Sequence, residues 1–326
     1  MYNKDLWMEV AKTIGEPIDI NFKVPVAIGK IADLDTAEPG EKVYNLVQYD
    51  EDVDEVLTVE ADGRVNAVAV SPKTDTILTF QGLNSRLKYV LVDTILNGAA
   101  GQGNPDLGVL ARKKEAITRS MDKEELYRIL AAITASGSVA TTTPGSAEDL
   151  YDVILRMKHQ LEDYGTNYVL FVGSNVKEAI DLYDKKKADN FNYNVTLPAK
   201  LAALGIEVQK IIGTINRGTI ASSATVSLMD SNKCMMFAID STMTEGKPLH
   251  FVRRKISAEI AALMGADVDS AQRALFVNPF PVNIGGTNPN TLAYGVYGYE
   301  SVIQVIKNPK AINKSADLSS IIGNNL

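Results

Sequence analysis

Nucleophilic catalysis and transition-metal binding often use cysteine or histidine side chains, and this 326-residue chain has few of either. It also has no serine in a Gly-x-Ser-x-Gly elbow and no acidic residues at metal-loop spacing. Cys234, the one cysteine, lies in the apolar run Cys234–Ile239, and this context predicts a buried thiol without chemical function. A single cysteine also excludes a disulfide within the chain. His159 and His250 are far apart in the sequence and have no partners at metal-ligand spacing. We therefore predict no catalytic residue and no metal site.

Two segments could bind a phosphate or a nucleotide, and both lack the residues that such binding needs. Residues 98–103 form a glycine-rich loop, but it has neither a Gly-Lys-Ser/Thr ending nor the dinucleotide-binding spacing. Residues 168–183 have the pattern of a strand, a turn and a helix, and the turn carries no catalytic signature. A hinge loop and a capped helix are the simpler interpretations, so no cofactor is predicted.

The charge balance argues against tight binding to nucleic acid. The chain has 33 lysines and arginines against 40 aspartates and glutamates, a formal net charge of −7. Residues 1–38 are acidic too, so they are not expected to condense DNA. Basic triplets occur at residues 112–114, 185–187 and 253–255 without interleaved aromatic residues, and solvent-exposed faces are their simplest interpretation.

Composition indicates a folded protein, with 45% hydrophobic and 22% charged residues. No apolar run approaches the roughly 20 residues that a membrane-spanning helix needs, so no membrane partner is expected. The first seven residues lack the apolar core of a signal peptide, which predicts folding in a cytosol.

The elements that must position any site begin with an arm and a hairpin. Residues 1–38 have little apolar periodicity, and we expect this arm to gain its order by packing on something else. Residues 39–85 contain β-rich runs, and Asp62-Gly63 between two of them suits a two-residue hairpin turn. The acidic run 50–55 lies at the base of this hairpin. It fits either a solvent-exposed turn or an electrostatic contact with a basic surface of another subunit.

A long helix is predicted over about residues 106–135 from apolar residues at helical spacing. Asp122 and Glu125 have the spacing of a capping box, so we expect the helix to break near Met121. The residues 136–146, rich in glycine, serine and threonine, are predicted to be a linker and a domain boundary.

Beyond this linker the pattern becomes α/β. A helix capped at Ser146, a buried strand over 168–172 and a helix that starts at Ser174 are predicted, followed by further strands up to about residue 240.

In the last third, residues 249–256 and 292–306 have the pattern of strands. Residues 278–281, with two prolines, predict a rigid turn, and residues 315–326 are expected to be loosely ordered.

In this order the elements resemble the major capsid protein fold of tailed bacteriophages, which encapsulin shells share. Lys247–Lys255 and Tyr297–Ala311 resemble the closing strands of that fold, and the likeness in element order covers nearly the whole chain. It implies an α+β fold with an N-arm, an E-loop hairpin, a peripheral domain with a long spine helix, and an axial α/β domain. The implied segments are the N-arm 1–38, the E-loop 39–85, the peripheral domain 86–145 with 245–306, and the axial domain 146–244 with 307–326.

The resemblance implies a structural protein and no enzyme. As a major capsid protein, the chain would assemble with its own copies into hexamers and pentamers of an icosahedral shell. The shell would enclose double-stranded DNA without sequence-specific binding. A separate scaffolding protein, a portal and decoration proteins are the implied partners. Assembly would take place in the cytoplasm of a bacterial host, and the product would be the virion.

The resemblance also suggests one contact between subunits, in which the acidic run meets the basic triplet on the spine helix of a neighbour. Its residues are Asp50, Glu51, Asp52, Asp54, Glu55, Arg112, Lys113 and Lys114. Three alternatives stay open. An encapsulin-type nanocompartment would have the same fold and a different cargo. An α/β enzyme would use the unit 168–183, and a tail or decoration protein would suit the long helix less well.

Overall fold

The computed structural model describes residues 28–39, 41, 43–48, 74–79, 81–84, 88–91, 108–187, 196–218, 222–239, 247–263, 265–268, 273–282 and 291–325. The strands in these ranges are β1 (Ala32–Ala37), β2 (Val43–Gln48), β3 (Thr74–Thr79), β4 (Gln81–Asn84), β5 (Lys88–Leu91), β6 (Ala140–Thr142), β7 (Tyr168–Val172), β8 (Ile206–Lys210), β9 (Thr214–Gly218), β10 (Ser223–Ser227), β11 (Cys234–Ala238), β12 (Leu249–Arg254), β13 (Ala266–Val268), β14 (Ala274–Val282), β15 (Thr291–Ile306) and β16 (Ile312–Ser315). The helices are α1 (Gly108–Ala135), α2 (Leu150–His159), α3 (Ser174–Lys187), α4 (Leu197–Ala203), α5 (Ala258–Leu263) and α6 (Ser319–Asn325).

A seven-stranded sheet is built around β15, whose 16 residues make it long enough to pair with several partners. The main strand order is β1-β12-β15-β14-β13, and β4 and β5 also pair with β15. All partners of β15 run antiparallel to it. The prediction of closing strands over 249–256 and 292–306 is confirmed.

Part of the predicted arm belongs to this sheet. β1 pairs in parallel with β12, from Ala32 opposite Leu249 to Ala37 opposite Arg254. The side chains of Asp33 and Lys307 add an ion pair of 3.0 Å across the sheet. This end of the arm is therefore ordered by packing on strands from the last third of the chain, while residues 1–27 lie outside the described ranges.

The five-stranded sheet has the order β6-β16-β11-β7-β8, and its central strands are buried on both faces. Alternate side chains of a strand point to opposite faces. On one face, Val169 and Phe171 of β7 pack with Phe237 in a core that also contains α1. On the other face, Leu170 and Met236 belong to a second core. Helices α2, α3, α4 and α6 contribute to that second core, which explains why β7 and β11 are apolar throughout.

Four local predictions are wrong, two of them at helix ends. Helix α1 runs unbroken from Gly108 to Ala135, without a break near Met121. Helix α2 is capped by Asp149 and not by Ser146, because the Asp149 and Asp152 side chains each accept a hydrogen bond from the other's backbone N–H.

The third error concerns residues 278–281, which lie inside β14 and do not form a turn. β13 pairs only with the part of β14 up to Phe276. Beyond it, among the described strands, β15 alone pairs with β14. The two prolines are two positions apart, so the positions of their missing N–H groups fall on the same side of the strand, and the side that pairs with no described strand can accommodate both.

The fourth error concerns the C-terminal residues, which were expected to be loosely ordered. Residues 315–326 begin at the last residue of β16 of the five-stranded sheet and contain helix α6, which packs on α3. Leu318, Ile321 and Ile322 are buried in the second core. The segment 136–146, predicted to be a linker, contains the three-residue strand β6, which pairs in parallel with β16, and its role as a domain boundary stays a prediction.

β2 and β3 pair antiparallel, from Val43 opposite Thr79 to Gln48 opposite Thr74. Their pairing suits the two ends of a hairpin. The predicted turn at Asp62-Gly63 lies outside the described residues, and so does the glycine-rich loop 98–103. The assignment of four segments to an arm, a loop and two domains stays a prediction. None of the helices in the described ranges is long and apolar enough to cross a membrane.

Candidate functional site

The predicted contact residues fall in two parts of the chain. The acidic side chains, Asp50 to Glu55, lie outside the described residues. Arg112, Lys113 and Lys114 lie near the start of α1, and their side chains are partly exposed. The proposed pairing of the two groups between subunits therefore stays a prediction.

Helix α1 carries five of its buried residues in a series with a spacing of four. Ile117, Met121, Ile129 and Ile133 are buried apolar members of this series, and the middle position is Glu125, which is 1% exposed. A spacing of four places side chains one above another on the same face of a helix. The face of α1 that packs on the sheets thus has a carboxyl group at its centre.

Glu125 is bound by an arginine of β12. Arg253 donates from Nε to Oε1 over 2.9 Å and from Nη2 to Oε2 over 2.7 Å. Such a two-pronged pair is stronger and more directional than a single charged hydrogen bond. The pair fixes the middle of α1 to β12, which lies beside β1 in the seven-stranded sheet.

A second arginine connects α1 to two further strands. Arg273, just before β14, is 2% exposed, and its Nη2 lies 2.6 Å from Oδ1 of Asp122 and 3.1 Å from Oε2 of Glu125. Its Nε donates to Oε2 of Glu300 on β15 over 2.7 Å. We call Asp122, Glu125, Arg253, Arg273 and Glu300 the buried ion cluster.

The groups of the cluster have shifted pKa values. Burial and the charge of Glu125 raise the pKa of Glu300 to about 8. Burial would also raise the pKa of Glu125, but hydrogen bonds from Arg253 and the charge of Arg273 hold it below its usual value. Burial works against the charge of Arg273, yet the carboxylates around it raise the pKa of that guanidinium. Of the two buried glutamates, Glu300 is the one whose pKa is raised.

On another face of α1, Glu124 joins the helix to β9. Arg217 donates from Nε and Nη2 to the two oxygens of Glu124, both over 3.0 Å, and Arg128 donates to Oε1 over 2.8 Å. The guanidinium of Arg217 also stacks over the ring of Tyr127, 4.6 Å from its centroid.

The C-terminal end of α1 is held by Lys314 of β16. Its ammonium group donates to the carbonyl oxygens of Ile133, Thr134 and Ser136 over 3.3, 2.9 and 2.7 Å. These carbonyls lack partners within the helix, and a cation suits the negative end of the helix dipole. Helix α1 is therefore attached to both sheets by charged groups as well as by apolar packing.

The surroundings of Cys234 and His250 disfavour the charged forms of these two side chains, whereas His159 is exposed and lies 3.1 Å from Oε2 of Glu162. Cys234 is fully buried, as predicted, and burial raises the pKa of its thiol to about 12. Burial lowers the pKa of His250. Within the described ranges, no group of three or more His, Cys, Asp and Glu side chains is arranged to hold a metal ion.

A cleft of about 330 Å³ lies between α1 and the segment that joins β10 to β11. Apolar side chains such as Leu130, Leu228 and Met235 line much of it, with Asp230 and Lys233 as its charged groups. This lining holds no cysteine, no histidine and no pair of acids.

The sequence cannot be placed by its likeness to other sequences, since neither a protein-family model nor a curated protein matches it. Its fold, in contrast, matches solved structures. The capsid of a native GTA particle matches with 13% identity over 89% of each chain and a TM-score of 0.52. The capsid of an empty GTA particle matches with 12% identity over 94% of this chain and 96% of the other, and a TM-score of 0.51. The capsid of the Cyanophage P-SCSP1u matches with 9% identity over 89% of this chain and 88% of the other, and a TM-score of 0.52.

At such identities the likeness shows the fold. The chain has the α+β fold of the major capsid proteins of tailed bacteriophages, and the predicted fold class is confirmed. The buried ion cluster was not predicted from the sequence. The signal was present, because Glu125 stands in an apolar series where a charged residue needs a partner.

Proposed function

We propose that the chain is the major capsid protein of a tailed bacteriophage, whose copies assemble as hexamers and pentamers of an icosahedral shell. The observation that carries this proposal is the shared fold with the GTA and cyanophage capsid chains, which extends over 89% of this chain. The match also covers 89% of the GTA chain and 88% of the cyanophage chain, so the likeness is not confined to one part of either capsid chain. Because one fold can serve several functions, the function needs its own test.

The role in this proposal is structural and not enzymatic. The buried thiol of Cys234 and the apolar cleft beside α1 support it, since neither offers an activated nucleophile or a general base. Encapsulin-type shells share the fold, but the matches quoted above are particle capsids, so this alternative is not favoured.

In this proposal, the shell encloses double-stranded DNA that it does not bind by sequence. The net charge of −7 supports a genome driven in by other proteins and not drawn in by charge. A separate scaffolding protein, a portal and decoration proteins are the proposed partners. Assembly takes place in the host cytoplasm, and the finished protein resides in the virion.

The proposed division of the chain assigns residues 1–38 to an N-arm and 39–85 to an E-loop that extends from the β2–β3 pair. Residues 86–145 and 245–306 form the peripheral domain, and 146–244 with 307–326 the axial domain. The two sheets support this division in outline, although β1 and β6 each pair across one of its boundaries.

The test is to express the full chain and measure its particle mass by size-exclusion chromatography with light scattering, together with negative-stain imaging. We expect closed shells, or pentamers and hexamers, either from the chain alone or after addition of the scaffolding protein. A chain that stays monomeric with its scaffold would contradict the proposal. A stable dimer or tetramer that binds a nucleotide would favour the α/β enzyme instead.

A further inference from the structure

The buried ion cluster contains one more carboxyl group than guanidinium groups. Its acids are Asp122, Glu125 and Glu300, and its cations are Arg253 and Arg273. With every group ionised, the cluster would carry a net negative charge in a site where Arg273, Glu125 and Glu300 are at most 2% exposed. An uncompensated buried charge is strongly unfavourable, so one retained proton would make the cluster neutral.

Geometry assigns this proton to Glu300. Both oxygens of Glu125 accept from Arg253, and Asp122 is 32% exposed, so both groups are better stabilised as anions. Glu300 accepts one hydrogen bond, from Arg273, and among the described residues its buried Oε1 accepts none. Burial and the Glu125 charge, which raise the pKa of Glu300 to about 8, act in the same direction.

The charged groups that face Glu300 come from three directions. Helix α1 contributes Asp122 and Glu125, the start of β14 contributes Arg273, and β12 contributes Arg253 through its pair with Glu125. Glu300 lies opposite Leu83 of β4, and β4 has no charged residue in its sequence. Among the residues that the structure describes, these four groups are the charged ones of the cluster around Glu300.

The cluster lies beside the closest approach of α1 to β15. At Gly298, two residues from Glu300, a Cβ atom would lie 2.6 Å from Sδ of Met121 and 3.0 Å from Cγ2 of Ile117. Helix α1 thus rests directly on the strand at this point. A change in the charge of Glu300 acts on the contact between the helix and the sheet.

We propose that the buried ion cluster is a pH-sensitive switch. While Glu300 keeps its proton, the cluster holds the middle of α1 on the seven-stranded sheet. When Glu300 loses its proton, the cluster releases the helix. This switch is a property of the single chain, so it goes beyond the proposed function and does not depend on it.

The direction of the pH effect follows from proton linkage. The carboxyl group of Glu300 binds its proton more tightly in the folded chain, since its pKa there is about 8 against an ordinary value of 4.5. The stabilisation is complete below the ordinary value and is lost as the pH rises through the folded value. Loss of the Glu300 proton in alkaline solution therefore releases the helix, whereas at pH 6, where Glu300 keeps its proton, the helix stays in place.

The test measures hydrogen–deuterium exchange in α1 and, for comparison, in α2 of the full chain at pH 6 to 9. Glu300→Gln keeps the shape and the acceptor for Arg273 but cannot ionise. Glu115→Gln, at an exposed position of α1, is the matched control. Comparing variants at equal pH removes the effect of pH on exchange chemistry itself.

We expect opening of α1 in the unmodified chain to grow relative to Glu300→Gln, by up to about tenfold per pH unit between pH 6 and 8. Opening of α2 should change much less, and Glu115→Gln should follow the unmodified chain. The proposal is overturned if Glu300→Gln keeps the full pH dependence, or if both helices lose protection equally. Failure of Glu300→Gln to fold would also overturn it, because a neutral amide should replace a neutral carboxyl group.

Discussion

At the scale of single residues, Glu125 decides how α1 is held. It occupies an apolar series on the helix and is nevertheless an anion, because Arg253 and Arg273 supply the partners that burial requires. A buried carboxylate at this position adds little stability to the folded chain if its arginine partners are absent. It makes the position of the helix depend on residues from the last third of the chain.

The first prediction concerns Arg253→Met, which leaves Glu125 without its two-pronged partner. Removing one member of a buried ion pair costs about 3 kcal/mol of unfolding free energy, because the remaining charge stays buried. Denaturation by urea at neutral pH measures this loss. The control is Arg254→Met on the same strand, where hydrogen bonds to the backbone oxygen of Glu41 and to the hydroxyl of Tyr299 are lost at a partly exposed position. A cost below about 1 kcal/mol is expected there. Equal costs for both variants would contradict the role given to the buried ion cluster.

Sequence reasoning at this scale succeeded where the signal is local. Cys234 was predicted to be buried from its apolar neighbours, and it is. Asp122 and Glu125 were interpreted as a capping box because their spacing of three fits one. The same spacing places both residues near Arg273. Since Arg253 is 128 residues away from Glu125 in the chain, no local pattern could have identified it as the partner.

At the scale of elements, the contact of α1 with β15 depends on a residue without a side chain. The Cβ atom that any other residue would have at Gly298 meets Met121, Ile117 and Leu275 within 3.3 Å. The glycine is thus required by a close approach of helix and strand, and not by its backbone angles.

The second prediction is that Gly298→Ala destabilises the chain by about 1–3 kcal/mol, because the added methyl group overpacks the helix–strand contact. Thermal unfolding at neutral pH measures the effect. Gly137→Ala is the matched control, since a Cβ atom there meets nothing within 4 Å. The double variant Gly298→Ala, Met121→Ala should lose less than the sum of the two single losses, because Met121 is the nearest contact of the added methyl group. A neutral Gly298→Ala would show that α1 does not rest on β15 as described.

Helices and strands were predicted correctly where the burial of one or both of their faces set the pattern of apolar residues. β7 was recognised as a buried strand, and α2 by its apolar stripe. The errors occurred where long-range pairing overrides a local preference. The prolines of β14 indicate a turn unless one knows that the outer side of the strand is unpaired. Residues 315–326 have no strong periodicity, and only the second core explains why α6 is ordered.

At the scale of the whole molecule, the order of elements was enough to predict the fold class, although no sequence relative supports it. Sheets and helices in this order admit few arrangements, because short strands must pair and apolar faces must be covered. Which strands pair across the chain, as β1 does with β12 and β6 with β16, depends on contacts that no single segment contains.

The last prediction belongs to the contact between molecules. Helix α1 has no acidic residue in its first turn, so Arg112, Lys113 and Lys114 add to the positive end of its dipole. An acidic segment of a neighbour would be attracted to this end. Changing Asp50, Glu51 and Asp52 to lysine should therefore reduce the yield of assembled particles about tenfold or more, since like charges opposed at an interface cost several kcal/mol.

The decisive variant combines this change with Arg112→Glu, Lys113→Glu and Lys114→Glu, which restores opposite charges in exchanged positions. Particle yield by light scattering should recover in the combined variant, while either triple change alone assembles poorly. Circular dichroism must show each subunit folded, so that a loss of particles reports on association. The control changes three exposed acidic residues to lysine, Asp163, Glu178 and Glu259, and so has the same change in net charge. If the variant with lysines at positions 50–52 formed particles with the same yield as the control, the contact would lie elsewhere. Poor assembly of the control would mean that net charge, and not this pairing, governs association.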